Sequence, residues 1–527
     1  MPGDDDSKPS STNVYAIYGV EPEVQAYAMA KYSRSALSMK ESLREISEQK
    51  AEKFLNTFYF QYGHRSIADL AHIAFAVEKL SMIAAIILVD EQRWDGQERS
   101  TRYQDFRKSG YYTPDFAGDA GALRLYRETM EFLFAEYEAI SQAMFEWLRE
   151  RTPRPEEMKP EAYERTLRAR AFDIARYLLP LATNTSLGQI VNARTLESQI
   201  SRLLANEYAE VRQLGALLKQ AAREPAFNAN RDSWNALMEE ISGMNPELGA
   251  RCREAILKDV RVSPTLVKYA EPSQYEISSR ADLRQAAAEL MGDGQIEAAP
   301  LVDLLDNDPL EVELATTLLY QHSHYSYRQI RDRAASLSAS RREELIDLGL
   351  RHRGKHDELP RAFDSGHALR FDILMDVGGF RDMHRHRRCI QIGQDFTWRH
   401  GFDTPEDLVS AGLKPRYQEA VSRAAGVATR LATDDSHAGN GASALSESEA
   451  ATRAVYALPM AFRKRTLFKM DFAEALYIAE LRTTPAGHFS YRNVAYAMYE
   501  AVARRYPALA KHFRVTDVRE AVDLLKR

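Results

Sequence analysis

Cysteine is nearly absent from this chain of 527 residues, which holds only Cys252 and Cys389. Two cysteines are too few for a disulfide scaffold or a thiolate zinc site, and they fit a reducing compartment. Long apolar runs are also missing: the longest, Leu80 to Val89, is far short of the roughly 20 residues that cross a bilayer. The chain opens with the aspartates Asp4 to Asp6, where a signal peptide carries positive charge. The sequence therefore predicts a cytoplasmic protein.

A large excess of one charge is missing as well. Seventy Lys and Arg residues stand against seventy-six Asp and Glu residues, which gives a formal net charge of −6. No overall cationic field can then recruit nucleic acid or an anionic membrane, so any anion site has to be local. The hydrophobic share of 45% and the charged share of 28% are ordinary for globular domains and exclude a disordered, collagenous or coiled-coil chain. At about 100 to 200 residues per domain, the length predicts more than one core.

Local patterns predict the organisation of the chain. Residues 1–13 are acidic and aperiodic, which predicts a disordered tail. Apolar residues recur every three or four positions from Leu123 to Trp147, which predicts an amphipathic helix that Pro153 ends. A second helix is expected from about Leu187 to Gln220. The small polar residues of about 433–449 predict a mobile loop.

The chain also resembles itself. The segment Phe60 to Ser66 (FQYGHRS) is similar to Tyr320 to Ser326 (YQHSHYS) 260 residues later. The segment Tyr177 to Ala182 (YLLPLA) is similar to Tyr456 to Ala461 (YALPMA) 279 residues later. Because the landmarks recur in the same order, we predict two diverged copies of one domain. The first copy covers 14–222, the second copy covers 265–527, and a helical connector covers 223–264.

Two groups of residues in the first copy have the chemistry of an anion site. Glu98, Ser100 and Arg102 alternate, so in an extended segment they share one face. A guanidinium and a hydroxyl on one face suit a phosphate, because the planar guanidinium binds two oxygens at once. Further along, Arg194, Ser198 and Arg202 recur every four residues and form one helical stripe, with Asn192 at its start. The alternative for both groups is a solvated charged face.

The second copy has a dense basic motif, His384 to Arg388 (HRHRR). Three arginines in five residues are unfavourable to assemble without an anionic partner, such as a nucleotide diphosphate. The alternatives are a basic surface patch, or a metal pair of His384 and His386 helped by His322 and His324. Metal is disfavoured because arginines on both sides repel a cation and no ligand spacing completes the site.

With these residues in view, the chain resembles the flavin-dependent thymidylate synthases, whose signature reads R-H-R-x-x-S-x-N-E-x-S-x-R-Y. That family also has G-H-x-S upstream and an A-R-x-x-L-P … N-x-R-x-L block downstream. The first copy matches the family spacing over about 150 residues at Gly63, His64, Ser66, Glu98, Ser100, Arg102, Tyr103, Ala175, Arg176, Leu179, Pro180, Asn192, Arg194, Leu196, Arg202, Glu210 and Arg212.

Each copy departs from the signature where the other keeps it. The first copy has Asp90, Glu91 and Gln92 in place of R-H-R. The second copy keeps R-H-R as Arg385, His386 and Arg387, but the positions of E-x-S-x-R-Y hold Gly393, Asp395, Thr397 and Trp398. Its proline block has Val455 in place of the phosphate arginine, and Asp471 and Ala473 in place of the asparagine and arginine. The resemblance thus implies two complementary halves of one composite site between the copies.

The resemblance implies an α+β fold made of two tandem copies, each with a mixed antiparallel sheet and long helices. It implies FAD-dependent transfer of a one-carbon unit to C5 of a uracil nucleotide, deoxyuridylate (dUMP), with NADPH and methylenetetrahydrofolate as co-substrates. A homodimer would give four family-like units. Alternatives from other classes are a non-catalytic nucleotide-binding or regulatory protein and a metal-dependent hydrolase.

The resemblance also implies a role for each matching residue. Glu98, Ser100, Arg102 and Arg176 would bind the nucleotide, and Arg202 would stabilise charge on the uracil ring. The FAD-binding residues would be His64, Ser66, Asn192, Arg194, Ser198, Arg385, His386 and Arg387. Cys389 is interpreted as a packed thiol, since direct hydride transfer from reduced flavin needs no cysteine nucleophile.

Overall fold

The structure is a computed structural model of the chain. It describes residues 17, 19–31, 39–45, 48–57, 65–292, 294–354, 357, 359–433, 447–520 and 525. The predicted tail, His64 and nearly all of the predicted loop at 433–449 lie outside the described residues. Contacts within the chain define two compact units: residues 1–74, 190–198 and 217–270 form unit one, and residues 75–189, 199–216 and 271–527 form unit two.

The first half of the described chain combines helices with three strands. The helices are α1 (Pro22–Lys31), α2 (Met39–Glu45), α3 (Glu48–Leu55), α4 (Met82–Leu88), α5 (Ala120–Arg151), α6 (Pro160–Ala175), α7 (Ala193–Leu204), α8 (Ala209–Arg223), α9 (Arg231–Met244) and α10 (Pro246–Ile256). The strands β1 (His72–Ser81), β2 (Asp95–Glu98) and β3 (Asn184–Asn192) form one sheet in the order β1-β3-β2. Short 3-10 helices cover Arg65–Leu70 and Arg176–Leu178.

The second half has a four-stranded sheet and further helices. The helices are α11 (Gln274–Met291), α12 (Leu310–Tyr320), α13 (Tyr327–Ser336), α14 (Ala339–Leu350), α15 (Val377–Met383), α16 (Glu406–Ser410), α17 (Lys414–Thr433), α18 (Glu447–Ala454), α19 (Phe472–Arg482), α20 (Phe489–Arg505) and α21 (Pro507–Ala510). The strands are β4 (Val302–Leu304), β5 (Leu369–Asp376), β6 (Ile390–Gly393) and β7 (Arg463–Met470), in the order β4-β5-β7-β6 with every pair antiparallel. Short 3-10 helices cover Arg361–Phe363 and Val455–Ala457.

In unit one, a buried carboxylate fixes the start of α1. The Glu23 carboxylate accepts the backbone N–H groups of Thr265 and Leu266 at 2.9 and 2.7 Å, and the Ser263 hydroxyl at 3.2 Å. Burial raises the pKa of Glu23, and these hydrogen bonds oppose that effect. The carboxylate therefore ties α1 to the turn over 263–266.

The amphipathic helix expected between Leu123 and Trp147 is confirmed as α5, in unit two. Asp119 caps its N-terminus by accepting the backbone N–H groups of Gly121 and Ala122. The buried residues of α5 recur every three or four positions, because only one face of the helix meets the core; they include Tyr126, Met130, Leu133, Tyr137, Ile140 and Met144.

The single helix expected from Leu187 to Gln220 is wrong. The segment Asn184–Asn192 is strand β3, and its burial alternates along Leu187, Gly188, Gln189, Ile190 and Val191. Such alternation is the period of a strand with one buried face. The rest of the segment is divided between α7 and α8 by a break at 205–208.

The two proline segments that revealed the repeat pair with each other in unit two. Leu181 N donates to Leu458 O at 2.8 Å, and the equivalent donor 279 residues later, Met460 N, donates to Leu179 O at 3.0 Å. Pro180 and Pro459 form an antiparallel bridge between these bonds. Because each contact has its mirror in the other segment, the two segments are related by a local twofold axis, like the contact in a symmetric dimer.

Candidate functional site

Three charged side chains of the first copy form a buried ion cluster. Arg102 Nε lies 3.1 Å from Oδ1 of Asp173 on α6, and Arg176 Nε lies 3.4 Å from the same oxygen. Arg176 Nη1 also donates to Thr101 Oγ1 at 3.2 Å. Although burial raises the pKa of Asp173, contacts with His488 and the two arginines hold that pKa well below its usual range. The two predicted phosphate arginines thus lie side by side on one ionised carboxylate.

The extended face predicted for Glu98, Ser100 and Arg102 is wrong in its geometry. Strand β2 ends at Glu98, and Arg102 lies in a turn. The turn forms because the Ser100 hydroxyl accepts the Arg102 backbone N–H at 3.2 Å. The Glu98 and Arg102 side chains are nonetheless both buried.

Residues of the second copy reach this ion cluster. Arg381 Nη2 on α15 donates to Glu98 Oε2 at 2.6 Å, and both side chains are buried. Arg102 Nη1 donates to the Tyr491 hydroxyl at 3.1 Å, and Arg102 Nη2 donates to the Ala486 carbonyl at 3.0 Å. The structure therefore brings predicted nucleotide-binding residues of the first copy against the second copy.

A further carboxylate, Asp382, connects the ion cluster with the basic motif. Arg176 Nη2 lies 3.8 Å from Asp382 Oδ2. Burial raises the pKa of Asp382, but Arg176 and then Arg385 outweigh burial and lower it. The half-buried Arg385 side chain thus faces the same charges as the arginines of the first copy.

Several guanidinium N–H groups at this place have no hydrogen-bond partner. They are Nε and Nη2 of Arg176 and Nε of Arg381, all buried. Arg176 Nε and Nη2 face Asp173 and Asp382 as ion pairs at 3.4 and 3.8 Å, but neither contact is a hydrogen bond, and buried donors are nearly always hydrogen-bonded in proteins. We use the term arginine cluster for the five arginines Arg102, Arg176, Arg381, Arg385 and Arg387 with the three carboxylates Glu98, Asp173 and Asp382. The guanidinium donors that make no hydrogen bond suit an anionic ligand.

The other two residues of the R-H-R motif have fixed partners. His386 Nε2 accepts from Arg482 Nε at 2.7 Å, and His386 Nδ1 lies 3.3 Å from Glu474. The Arg387 guanidinium lies 4.3 Å from the centre of the Trp94 ring, and its Nε donates to the Trp94 carbonyl at 2.9 Å. Arg387 thus packs on the first copy, between the lost R-H-R positions and Glu98.

The acidic residues that replace R-H-R in the first copy bind basic side chains. Arg202 Nη2 lies 2.7 Å from Glu91 and also donates to the Ile87 carbonyl. Asp90 pairs with Arg361 at 2.5 Å and lies 3.7 Å from His384. Arg202, which was expected against a uracil ring, therefore has an internal carboxylate as its partner.

The remaining predicted residues lie in unit one. Asn192 caps α7, since its Oδ1 accepts the Thr195 backbone N–H at 2.8 Å. Arg194 Nη1 lies 3.4 Å from Asp69, Ser198 is half-buried one turn along α7, and Ser66 is exposed in the 3-10 helix Arg65–Leu70. Asn192 precedes α7, and the three residues of the predicted stripe, Arg194, Ser198 and Arg202, all lie on that helix.

Sequence reasoning missed the partners of the arginines, namely Asp173, Arg381, Asp382, His488 and Tyr491. Two of them had a weak signal. Asp173 precedes Arg176 by three residues on a helix, and Arg381 precedes Arg385 by four, which are the spacings of neighbours on one face. The C-terminal residues His488 and Tyr491 had no signal, since nothing in the sequence predicts which distant segments meet.

His488 is a buried histidine that belongs to the same region. Its Nδ1 lies 3.0 Å from Asp173 Oδ1, and its Nε2 is 2.8 Å from the Tyr177 hydroxyl. Burial disfavours the charged imidazolium and lowers the pKa of His488 to about 4, although Asp173 opposes this. The ring is therefore neutral at pH 7.

We expect His488 to make folding sensitive to acid. The pKa of this histidine in the unfolded chain is about 6.5. The stability that the neutral ring contributes to the folded protein is therefore fully present above that pH and is lost as the pH falls toward 4. Between pH 7 and pH 5 the loss amounts to about 2 kcal/mol in the free energy of unfolding. Urea unfolding at the two pH values measures it. Between the same two pH values, the free energy of unfolding of His488→Gln should fall by about that much less than that of the wild type. Equal decreases in the two proteins would contradict this role of His488.

His384 and Cys389 have hydrogen-bond partners within the protein. No group of three or more His, Cys, Asp and Glu side chains that could hold a metal ion occurs among the described residues. His384 Nδ1 is instead 2.9 Å from Gln391. Burial raises the pKa of Cys389 to about 12, and its thiol donates to the His386 carbonyl at 3.0 Å. Cys389 is a packed thiol, as the sequence indicated.

Comparison with known proteins gives two matches to one family. The model of the family described as "Thymidylate synthase complementing protein" matches residues 17–225 and again residues 300–508. A UPF0159 protein of Chlamydia pneumoniae is 25% identical over 96% of this chain and 92% of its own length. A flavin-dependent thymidylate synthase of Clostridium tetani is 27% identical over 45% of this chain and 91% of its own length.

Part of the chain is also similar to a solved structure. The UMP/dUMP methylase PolB of Streptomyces cacaoi, solved with 5-Br dUMP, matches 38% of this chain and 84% of its own at 17% identity and a TM-score of 0.28. Within the described parts of the chain, every helix is too short or too polar to cross a bilayer.

Proposed function

The chain belongs to the thymidylate synthase complementing protein family, of which it contains two tandem copies, and on this premise we propose that it methylates or otherwise alkylates C5 of a uracil nucleotide. The proposed cofactor is FAD, with NADPH as reductant and methylenetetrahydrofolate as carbon donor. The relative from Clostridium tetani, named as flavin-dependent, supports the cofactor class.

The arginine cluster carries the proposal, because it joins the halves that the two copies kept. Glu98 is paired with Arg381 at 2.6 Å, and Arg176 lies 3.8 Å from Asp382. A site lined by both copies explains why neither copy needs the full family signature. The side chains of the arginine cluster would then bind one nucleotide and one FAD at a single site.

Within this proposal, the first copy binds the nucleotide. Arg102 and Arg176 hold the 5′-phosphate, with Glu98 and Ser100 beside it. The Nε and Nη2 groups of Arg176 lie 3.4 Å from Asp173 and 3.8 Å from Asp382 without making a hydrogen bond, and in this proposal they donate to the phosphate, since charge-assisted hydrogen bonds to phosphate are strong. Asp173 fixes both guanidinium groups in place, because each lies within 3.4 Å of its Oδ1.

The second copy binds FAD in this proposal. Arg385 faces the charges of the arginine cluster, and the unpartnered Nε of Arg381 offers a further donor, so the residues present fit a diphosphate. His386 and Arg387 complete the motif. The family resemblance also assigns His64, Ser66, Asn192, Arg194 and Ser198 of the first copy to FAD binding. When bound, FAD supplies the hydride chemistry of the reaction.

Arg202 is proposed to stabilise negative charge on the uracil ring. In the structure its guanidinium binds Glu91 at 2.7 Å. The role therefore requires this ion pair to open.

The test is flavin oxidation by the whole protein. The purified protein should be yellow, and its reduced flavin should be oxidised under anaerobic conditions after deoxyuridylate and methylenetetrahydrofolate are added, with a C5-alkylated product in the mixture. Protein that binds deoxyuridylate but no flavin would instead be a non-catalytic nucleotide-binding protein. Flavin without any uracil nucleotide binding would contradict the proposed substrate class.

A further inference from the structure

Lys464 on β7 is a buried lysine without a carboxylate partner. Its Nζ donates to the Gln394 carbonyl and lies 4.2 Å from the centre of the Phe396 ring. Among the described residues, no carboxylate lies within 4.0 Å of this ammonium group; Asp395 and Asp90 act on it only from farther away. Charges are almost never left unpaired in a protein interior. Burial lowers the pKa of Lys464 to about 8, so the amine still carries its proton at pH 7, and an anion would compensate a charge that no described carboxylate within 4.0 Å pairs.

Lys469 on the same strand shows the ordinary arrangement. It is also buried, and its Nζ lies 3.2 Å from Glu313 Oε1. The two lysines share residue type, strand and burial, but only Lys469 has an internal carboxylate. Strand β7 can therefore hold a buried lysine that is paired with a carboxylate. The lack of such a carboxylate at Lys464 is a property of that position and not of the strand.

Polar atoms without partners surround Lys464. They are His324 Nδ1, Gln394 Oε1, His400 Nε2 and Thr466 Oγ1, all buried and without a hydrogen bond. The His324 and His400 rings are 5.9 Å apart. A Cβ placed on Gly393 would lie 3.3 Å from Lys464 Nζ and 3.6 Å from Thr466 Oγ1, so both atoms approach the same stretch of backbone. We call these residues the lysine pocket.

The charged groups around the lysine pocket are of both signs, since the exposed Asp395 carboxylate acts on Lys464 and His324 from farther than 4.0 Å, while Lys464 and Arg399 are cationic. Burial lowers the pKa of His324 to about 4 and that of His400 to about 3, so both rings are neutral at pH 7, and each can donate one N–H to an anion in the tautomer that carries its hydrogen on the unpartnered nitrogen. Arg399 is exposed at the edge of the pocket, whereas Arg465 is already paired with Asp372 at 2.9 Å. His324 is half-exposed and gives the pocket an opening to solvent.

We propose that the lysine pocket binds one small oxyanion, a phosphate or carboxylate group, between Lys464, Thr466 and the two imidazoles. Lys464 supplies the charge, while the imidazole N–H groups and the Thr466 hydroxyl supply hydrogen bonds. Gln394 Oε1 accepts a hydrogen bond from a protonated oxygen of the ligand. The pocket shares no residue with the arginine cluster, so this site is additional to the proposed nucleotide site.

The test uses the whole protein and inorganic phosphate at constant ionic strength, with chloride as the balancing salt. Phosphate affinity is measured by equilibrium dialysis, and the thermal midpoint is recorded with and without phosphate. The variant Lys464→Met should lower the affinity of this site at least about tenfold, as expected for the loss of a charge-assisted hydrogen bond. The matched control Lys469→Met should keep the phosphate response even if its midpoint is lower.

A second variant keeps the test decisive if Lys464→Met does not fold. Thr466→Val preserves shape and removes only the hydroxyl, and it should weaken phosphate binding as well. Succinate in place of phosphate distinguishes a carboxylate ligand from a phosphate ligand. Equal responses of the wild type, Lys464→Met and Thr466→Val to both anions, or no response of the wild type to either, would overturn the proposal.

Discussion

Replacing Arg176 with glutamine is expected to reduce deoxyuridylate binding by more than about 100-fold, because it removes a buried guanidinium from the proposed phosphate site. Bound flavin should remain, since the basic motif of the second copy is unchanged. The same substitution leaves Asp173 with one arginine fewer, and breaking a buried ion pair costs about 3 to 5 kcal/mol of stability. Nucleotide binding is measured by calorimetry and flavin content by absorbance.

The control for this experiment is Arg124→Gln. Arg124 lies on α5 with an exposed side chain and pairs only loosely with Glu128, at 4.0 Å. Its removal should change stability by less than about 0.5 kcal/mol and should leave both ligands bound. If folded Arg176→Gln protein binds deoxyuridylate as tightly as Arg124→Gln protein, the phosphate is held elsewhere.

Replacing Arg385 with glutamine is expected to weaken FAD binding by about 10- to 100-fold, which corresponds to the loss of one charge-assisted hydrogen bond. Arg385 is half-buried, so the substitution should leave the fold intact. Deoxyuridylate binding should change little, because Arg102 and Arg176 keep their contacts with Asp173. Fluorescence of released flavin gives the affinity.

The neighbouring Arg388 provides the matched control. Its side chain is 67% exposed and lies 3.2 Å from Asp471 at the surface. Both arginines belong to one basic motif, so a general electrostatic effect would weaken FAD binding equally in Arg385→Gln and Arg388→Gln. A loss confined to Arg385→Gln supports a specific contact, and equal losses would refute it.

The sequence predicted those features that repeat at a regular spacing. Helix α5 was predicted because its apolar residues follow the helical period, and the pairing partners Pro180 and Pro459 were visible as equivalent positions. The segment after Leu187 was misjudged because the arginine stripe of α7 was extended backward into β3. The alternation of Leu187, Gln189 and Val191 was the better guide, since it follows the period of a strand.

The contacts of the arginine cluster could be predicted only in part. The residue types of Arg102 and Arg176 indicated an anion site, but not that both would bind Asp173. Nor could the sequence indicate that Glu91 binds Arg202, because that contact joins positions 111 residues apart. Long-range pairing is decided by packing, and its partners have no fixed spacing in the chain.

The paired proline segments have a consequence for how the protein behaves on dilution. A contact of this self-complementary kind between separate chains would weaken as the protein concentration falls. Here Leu181 and Met460 belong to one chain, so the linker sets a high and constant effective concentration of one segment for the other. The arginine cluster, which both copies line, therefore stays assembled at any concentration at which the chain itself is folded.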